Sequence, residues 1–167
     1  MAARWIPPGS RVLDIGCHQG EFFLWLGGKI KPSVGFDQLY RENTNSTEHQ
    51  FFAHNFQEGL PFEEHSFDTV VLLATIEHIH DKSAIARESA RLLRSGGRVI
   101  ITVPSLLVDK LMDILIFLGI VDGMSLEQHH GFPPNELPDI FIPEGFKLRK
   151  KQKFQFGLNN LYVFERL

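Results

Sequence analysis

Arg11-Val-Leu-Asp-Ile-Gly-Cys-His-Gln-Gly20 is the stretch on which the fold turns. Arg11 to Ile15 is a short, mostly apolar run that gives way at once to a segment bounded by Gly16 and Gly20. That pattern predicts a buried strand running into a tight loop. Glu21 to Leu26 then has helical character, and Gly27-Gly28 ends it. Glycine lets a backbone turn sharply and pass close to a ligand without steric cost. The amides of such a loop, with a helix N-terminus behind them, favour a negatively charged group.

The same alternation continues outward. Ser33-Val-Gly-Phe36 is a second strand with Asp37 at its end, and Gln50-Phe-Phe-Ala53 is a small third. Phe67-Asp-Thr-Val-Val-Leu-Leu73 is a fourth, its apolar run suited to a sheet covered on both faces. The clearest helix follows. Asp81 caps it, and Ile85, Ala86, Ser89, Leu92 and Leu93 share one face. Arg87, Glu88, Arg91 and Arg94 are expected to point elsewhere, with Gly96-Gly97 terminating the helix. Arg98 to Val103 is a fifth strand stopped by Pro104, a helix spans 106–120, and a short last one spans 135–141. Lys147 to Phe156 and Leu161 to Arg166 read as two strands of a hairpin joined near Gly157 to Asn160. The order predicts one α/β domain over residues 1–167, its parallel sheet carrying an antiparallel edge and its ligands at the carboxyl ends of the strands.

Composition narrows the function. The 167 residues are 43% apolar and 22% charged, which is the balance of a globular chain and not of a disordered one. A net charge of −3 argues against nucleic acid as the main partner. The single cysteine excludes an internal disulfide, so a reducing cytoplasm is the expected compartment. The most apolar stretch, Leu106 to Met124, is interrupted by Asp109, Lys110, Asp113 and Asp122 and is not a membrane span.

Asp37 stands 17 residues after Gly20 at the end of the next strand, where an acidic side chain can take both hydroxyls of a ribose. A nucleoside-containing cofactor is therefore expected. A dinucleotide site wants G-x-G-x-x-G, but no glycine stands two after Gly16, and Phe23 or Leu24 occupies the third place. An NAD-dependent oxidoreductase is disfavoured on that spacing, and no P-loop lysine is present.

Four segments in order carry a family resemblance: Val12 to Gly20, Val34 to Asp37, Gly59 to His78 and Ala90 to Pro104. With them the chain resembles the class I S-adenosylmethionine-dependent methyltransferases, in the subgroup acting on small molecules. The resemblance implies a Rossmann-like, doubly wound, mostly parallel seven-stranded sheet with a C-terminal antiparallel hairpin and helices on both faces. It implies S-adenosyl-L-methionine as cofactor and methyl transfer to a small-molecule, sugar or lipid-like acceptor. By the same resemblance Gly16 and Gly20 flank the methionine end, with Cys17 and His18 between them, and Asp14 orders the loop. Asp37 takes the ribose, Gln38 lies beside the adenine, Asn55 meets its amino edge and Phe56 packs on the ring. Leu73 lines the cofactor from the end of the fourth strand. A β-branched residue at Gly16 would then put carbon where the methionine end passes. His18 stands where the family most often has glycine, so its side chain must turn outward or lie along the cofactor.

Displacement at a sulfonium needs alignment, plus a base when the nucleophile arrives protonated. Glu77 and His78 fall just past the fourth strand, and His78 is the candidate base. Some ubiquinone-pathway O-methyltransferases hold a divalent ion here, but the matching position is Ala74, and no metal site is expected. His129-His130 and Lys147 to Lys153 read as a solvated loop pair and a charged edge strand. Little chain precedes the first strand, so a fragment, cover by 121–134 and an open site are all compatible with the sequence. The helix from Leu106 to Ile120 is apolar all round, which predicts cover by a neighbouring segment, a hydrophobic vestibule or a homodimer contact. A cofactor-binding but inactive partner subunit is the alternative to an enzyme.

Overall fold

The computed structural model describes residues 1–41, 48–54, 59–105, 108 and 132–167. Seven strands form one sheet in the order β3-β2-β1-β4-β5-β7-β6. They are β1 Val12–Ile15, β2 Val34–Phe36, β3 Gln50–Phe52, β4 Phe67–Leu73, β5 Leu93–Pro104, β6 Phe146–Phe154 and β7 Asn159–Arg166. The first five pair in parallel, while β7 runs antiparallel to both β5 and β6. This is the expected doubly wound sheet, and the strand order reverses between β1 and β4.

Period-two side-chain alternation gives the sheet two cores. Val70, Leu72, Val99, Ile101 and Val103 point to one face, where α2 (Lys82–Leu92) and α3 (Leu137–Phe141) bury Ile85, Leu92, Leu137 and Phe141. Val71, Ile100, Leu161 and Val163 point to the other, under Phe23 and Leu26 of α1 (Glu21–Leu26). An N-terminal turn, Ala2–Trp5, joins this second core through Ala2.

Three local expectations are corrected. Asp81 does cap α2, accepting from the Ala84 N–H at 2.9 Å, but the helix ends at Leu92. Gly96-Gly97 lies beyond it, within the strand span; Gly96 has φ +75°, and Gly97 is packed so closely that a Cβ would lie 2.8 Å from the Arg94 carbonyl oxygen. Glu88 does not point to solvent. It is buried, its Oε1 2.5 Å from an Arg91 guanidinium nitrogen and 2.8 Å from the Leu60 N–H, while Arg91 also donates to the Leu60 and Phe62 carbonyls. Burial alone would push the Glu88 carboxyl up, but Arg91 and the N–H groups of Leu60 and Gly59 outweigh it and hold it below its ordinary value. Phe156, expected in the sixth strand, sits instead in the Gln155–Gly157 turn of the hairpin. The apolar helix from Leu106 to Ile120, the 121–134 cover up to residue 131 and His129-His130 lie outside the described residues, apart from Val108.

Candidate functional site

At the point where strand order reverses, the loops leaving β1 and β4 come together, which is where a doubly wound sheet takes its ligand. Gly16 has φ +83°, and a Cβ built on it would lie 2.2 Å from Thr75 Oγ1. Thr75, not an open cofactor channel, fills the space this glycine leaves. Gly20 (φ +82°) is packed in the same way against the ring of Phe51, at 2.5 Å. Both glycines therefore let neighbouring segments pack closely against the loop after β1. Cys17 is buried beside Gly35, where a Cβ would meet its Sγ at 2.7 Å, and burial pushes its thiol up.

The polar groups converge on the same loop. The His18 N–H donates to Asp37 Oδ2 at 2.8 Å, and the Leu39 N–H donates to Asp37 Oδ1 at 2.7 Å. Asp37 thus ties the loop after β1 to the loop after β2. His18 has φ +49°, and its ring turns outward to Glu21, Nδ1 to Oε1 being 2.9 Å. Gln19, unnoticed in the sequence, makes a second tie: its Nε2 donates to the Leu39 carbonyl at 2.8 Å and its Oε1 accepts from the Arg41 N–H at 3.1 Å. Gln38 is exposed beside them.

Asp14 lies beneath this loop. It is buried in β1, and its Oδ1 has no hydrogen-bond partner among the described residues. Burial, with the nearby charges of Asp37 and Glu21 adding to it, pushes the Asp14 carboxyl up to about 8. A buried polar atom without a partner is costly and calls for a donor.

On the α1 side of the sheet a cleft of about 330 Å³ opens beside Leu73 and Thr102, near the carboxyl ends of β4 and β5. Met1, Ala2, Ala3, Phe22, Trp25 and Phe154 complete its lining. Thr102 Oγ1 accepts from the Ala74 N–H at 3.1 Å, and Ala74 holds φ +54°. Leu73 thus faces this cleft. His78 is exposed on the Ile76–His78 turn and is not among the residues lining it. Asn55 and Phe56 lie outside the described residues. Thr75, Phe51 and Gln19 were missed because nothing local marks them; their roles come from packing between loops distant in sequence.

A family profile described as "Methyltransferase domain" matches residues 1–151. The chain belongs to that methyltransferase family. It is 30% identical to a demethylmenaquinone methyltransferase of Staphylococcus aureus, over 93% of this chain and 75% of that protein. It is 27% identical to the methyltransferase GfsG of Streptomyces halstedii over 58% of the chain, and the match spans only 38% of that protein's length. The methyltransferase domain superposes on an S-adenosylmethionine-dependent methyltransferase from Mesorhizobium loti with a TM-score of 0.74 at 15% identity, covering 99% of this chain and 95% of that one. At that identity the likeness establishes the shared fold. No described helix of this methyltransferase domain is long and apolar enough to cross a membrane.

Proposed function

We propose that this methyltransferase domain transfers a methyl group from S-adenosylmethionine to a small-molecule acceptor. The observation that carries the reading is Asp37: a half-buried carboxylate at the end of β2, tied to the loop after β1 where strand order reverses. The residues present fit the cofactor. Its ammonium group would give the buried, unpartnered Asp14 Oδ1 the donor it lacks. Gly16, Cys17, His18 and Gly20 form the loop that would hold the methionine end, and Asp37 and Gln38 would hold the nucleoside. Bound there, the cofactor supplies a methyl group already activated on a sulfonium.

The apolar cleft beside Leu73 is the proposed acceptor site. Among its described lining residues, the Thr102 hydroxyl would orient an acceptor oxygen, and its volume suits a small molecule. A lipid-like acceptor is in keeping with that lining and with the demethylmenaquinone methyltransferase relative. Among the described residues the lining holds no carboxylate or imidazole; His78, on the turn after β4, is the proposed base.

Calorimetry with S-adenosylhomocysteine tests the reading. Wild type binds, and Asp37→Ala weakens binding by about 10- to 150-fold, the equivalent of roughly 1.5–3 kcal/mol for a hydrogen bond to a charged group. Unchanged affinity in a folded variant removes the ribose assignment, and no binding by wild type removes the function.

A further inference from the structure

The β6–β7 hairpin ends in a turn that hides nothing. Gln155, Phe156 and Gly157 all have positive φ, at +50°, +57° and +87°. Two non-glycine residues in the left-handed region are a strained arrangement. The turn closes the hairpin, but the Phe156 side chain is wholly exposed, with a relative accessibility of 105%. Two residues earlier, Phe154 lines the apolar cleft. Across that cleft Trp25 is 65% exposed, stacked on Phe22 at 6.3 Å, with Lys29 Nζ 5.5 Å from its ring. Leu24 is exposed beside it.

Cations flank the same turn. Lys150 pairs with Val163 and Phe154 with Asn159, so both stand on the α1 side of the sheet, where the cleft opens. Lys151 and Lys153 stand on the other face of the strand, and all three lysines are exposed. The chain's net charge is −3, so this basic edge is a local feature and not an overall bias. Of the acidic groups nearby, Glu21 on α1 is engaged by His18.

We propose that the rim of the cleft docks on an anionic lipid surface, with Phe156 and Trp25 entering the headgroup region and Lys150, on the cleft side of β6, and Lys29, beside Trp25, meeting the lipid charge. Aromatic side chains that project singly, flanked by long cationic ones, suit the boundary between headgroups and acyl chains. Docking this way turns the mouth of the cleft toward the lipid, from which an apolar molecule can enter without crossing water. The inference concerns the surface alone and stands whether or not the cleft takes the methyl acceptor.

Flotation with vesicles of pure phosphatidylcholine, and of phosphatidylcholine with one-third phosphatidylglycerol, tests it. Wild type floats with the mixed vesicles at low salt and about tenfold less with the neutral ones. Phe156→Ala, at a wholly exposed position that cannot unfold the chain, lowers the bound fraction severalfold, and adding Trp25→Ala abolishes it. Lys150→Gln with Lys29→Gln removes the preference for anionic lipid. Circular dichroism and S-adenosylhomocysteine affinity stay at wild-type values in Phe156→Ala and in the lysine variant. Wild type remaining unbound to both vesicles, or Phe156→Ala floating like wild type, overturns the proposal. Loss of S-adenosylhomocysteine binding by wild type would strike the methyltransferase reading and leave the vesicle result untouched.

Discussion

Gly16→Ala is the sharpest probe of how the two central loops fit together. The new Cβ meets two costs. At φ +83° an L residue loses about 1–2 kcal/mol against the following carbonyl. The same Cβ would sit 2.2 Å from Thr75 Oγ1 and 2.5 Å from its Cγ2, an overpacking of the kind that costs about 1–3 kcal/mol. Together these come to about 2–5 kcal/mol, a large part of a domain's usual 5–15. For a chain of this size that lowers the melting temperature by about 4–20 °C. Urea unfolding followed by tryptophan fluorescence measures it, and a double-mutant cycle with Thr75→Gly separates the two parts. Removing the threonine side chain should recover the overpacking share and leave the backbone share in place. Affinity for S-adenosylhomocysteine should recover with stability, because the disputed space belongs to Thr75. A Gly16→Ala domain as stable as wild type, or a double variant no more stable than Gly16→Ala, would refute the interlocking of these loops.

Asp14 predicts a pH effect of definite sign. Its folded pKa of about 8 lies above the ordinary 3.8, so the folded state keeps a proton that the unfolded chain has lost in between. Stability therefore falls as pH rises through that window, and Asp14→Asn, which cannot ionise, should lack the fall; parallel unfolding midpoints of the two proteins at pH 5 and pH 8 would contradict it. Glu88 works in the opposite sense: held below its ordinary 4.5, it contributes stability above that value which is lost as pH drops through its folded value. Glu88→Ala should cost about 1.5–3 kcal/mol in urea unfolding at neutral pH. His78→Asn should slow turnover of a protonated acceptor by about 10²-fold or more while leaving S-adenosylhomocysteine affinity unchanged, and a near wild-type rate would dismiss His78 as base.

The sheet was legible because its strands carry local signals. Arg11 to Ile15 and Phe67 to Leu73 are mostly apolar runs, and the structure places β4 on the same residues and β1 on Val12–Ile15, one residue shorter. The terminal hairpin announced itself by its change from helical spacing to strand composition. Charge gave a misleading signal at Glu88. Counting it outward follows from treating a carboxylate as a surface group, yet Glu88 and Arg91 stand three apart on α2, a spacing that brings side chains together. The Gly96-Gly97 pair misled for another reason: a glycine pair marks a backbone need, and the need here lies within the β5 span, a positive φ and a close approach to the Arg94 carbonyl, and not at the helix end.

The glycine-rich loop shows most plainly what local reading misses. A glycine's absent side chain is naturally assigned to a ligand, because the sequence does not show which distant residue stands opposite. In the fold the spaces at Gly16, Gly20 and Gly35 are taken by Thr75, Phe51 and Cys17. Two of the three partners come from loops or strands more than thirty residues away, so their contacts carry no periodicity or spacing of their own. These packed spaces fix the heights of the loops after β1 and β4 relative to one another. The groups proposed to meet the ligand are instead polar ones close by: Asp37 after β2, bonded to two backbone amides, and Asp14 in β1, with an oxygen lacking a donor among the described residues. Substitution at the glycines should accordingly act first on stability, and substitution at the two carboxylates first on affinity. Thermal unfolding and S-adenosylhomocysteine calorimetry on the same variants separate these effects, and a glycine variant that kept its melting temperature while losing the ligand would return those glycines to the cofactor.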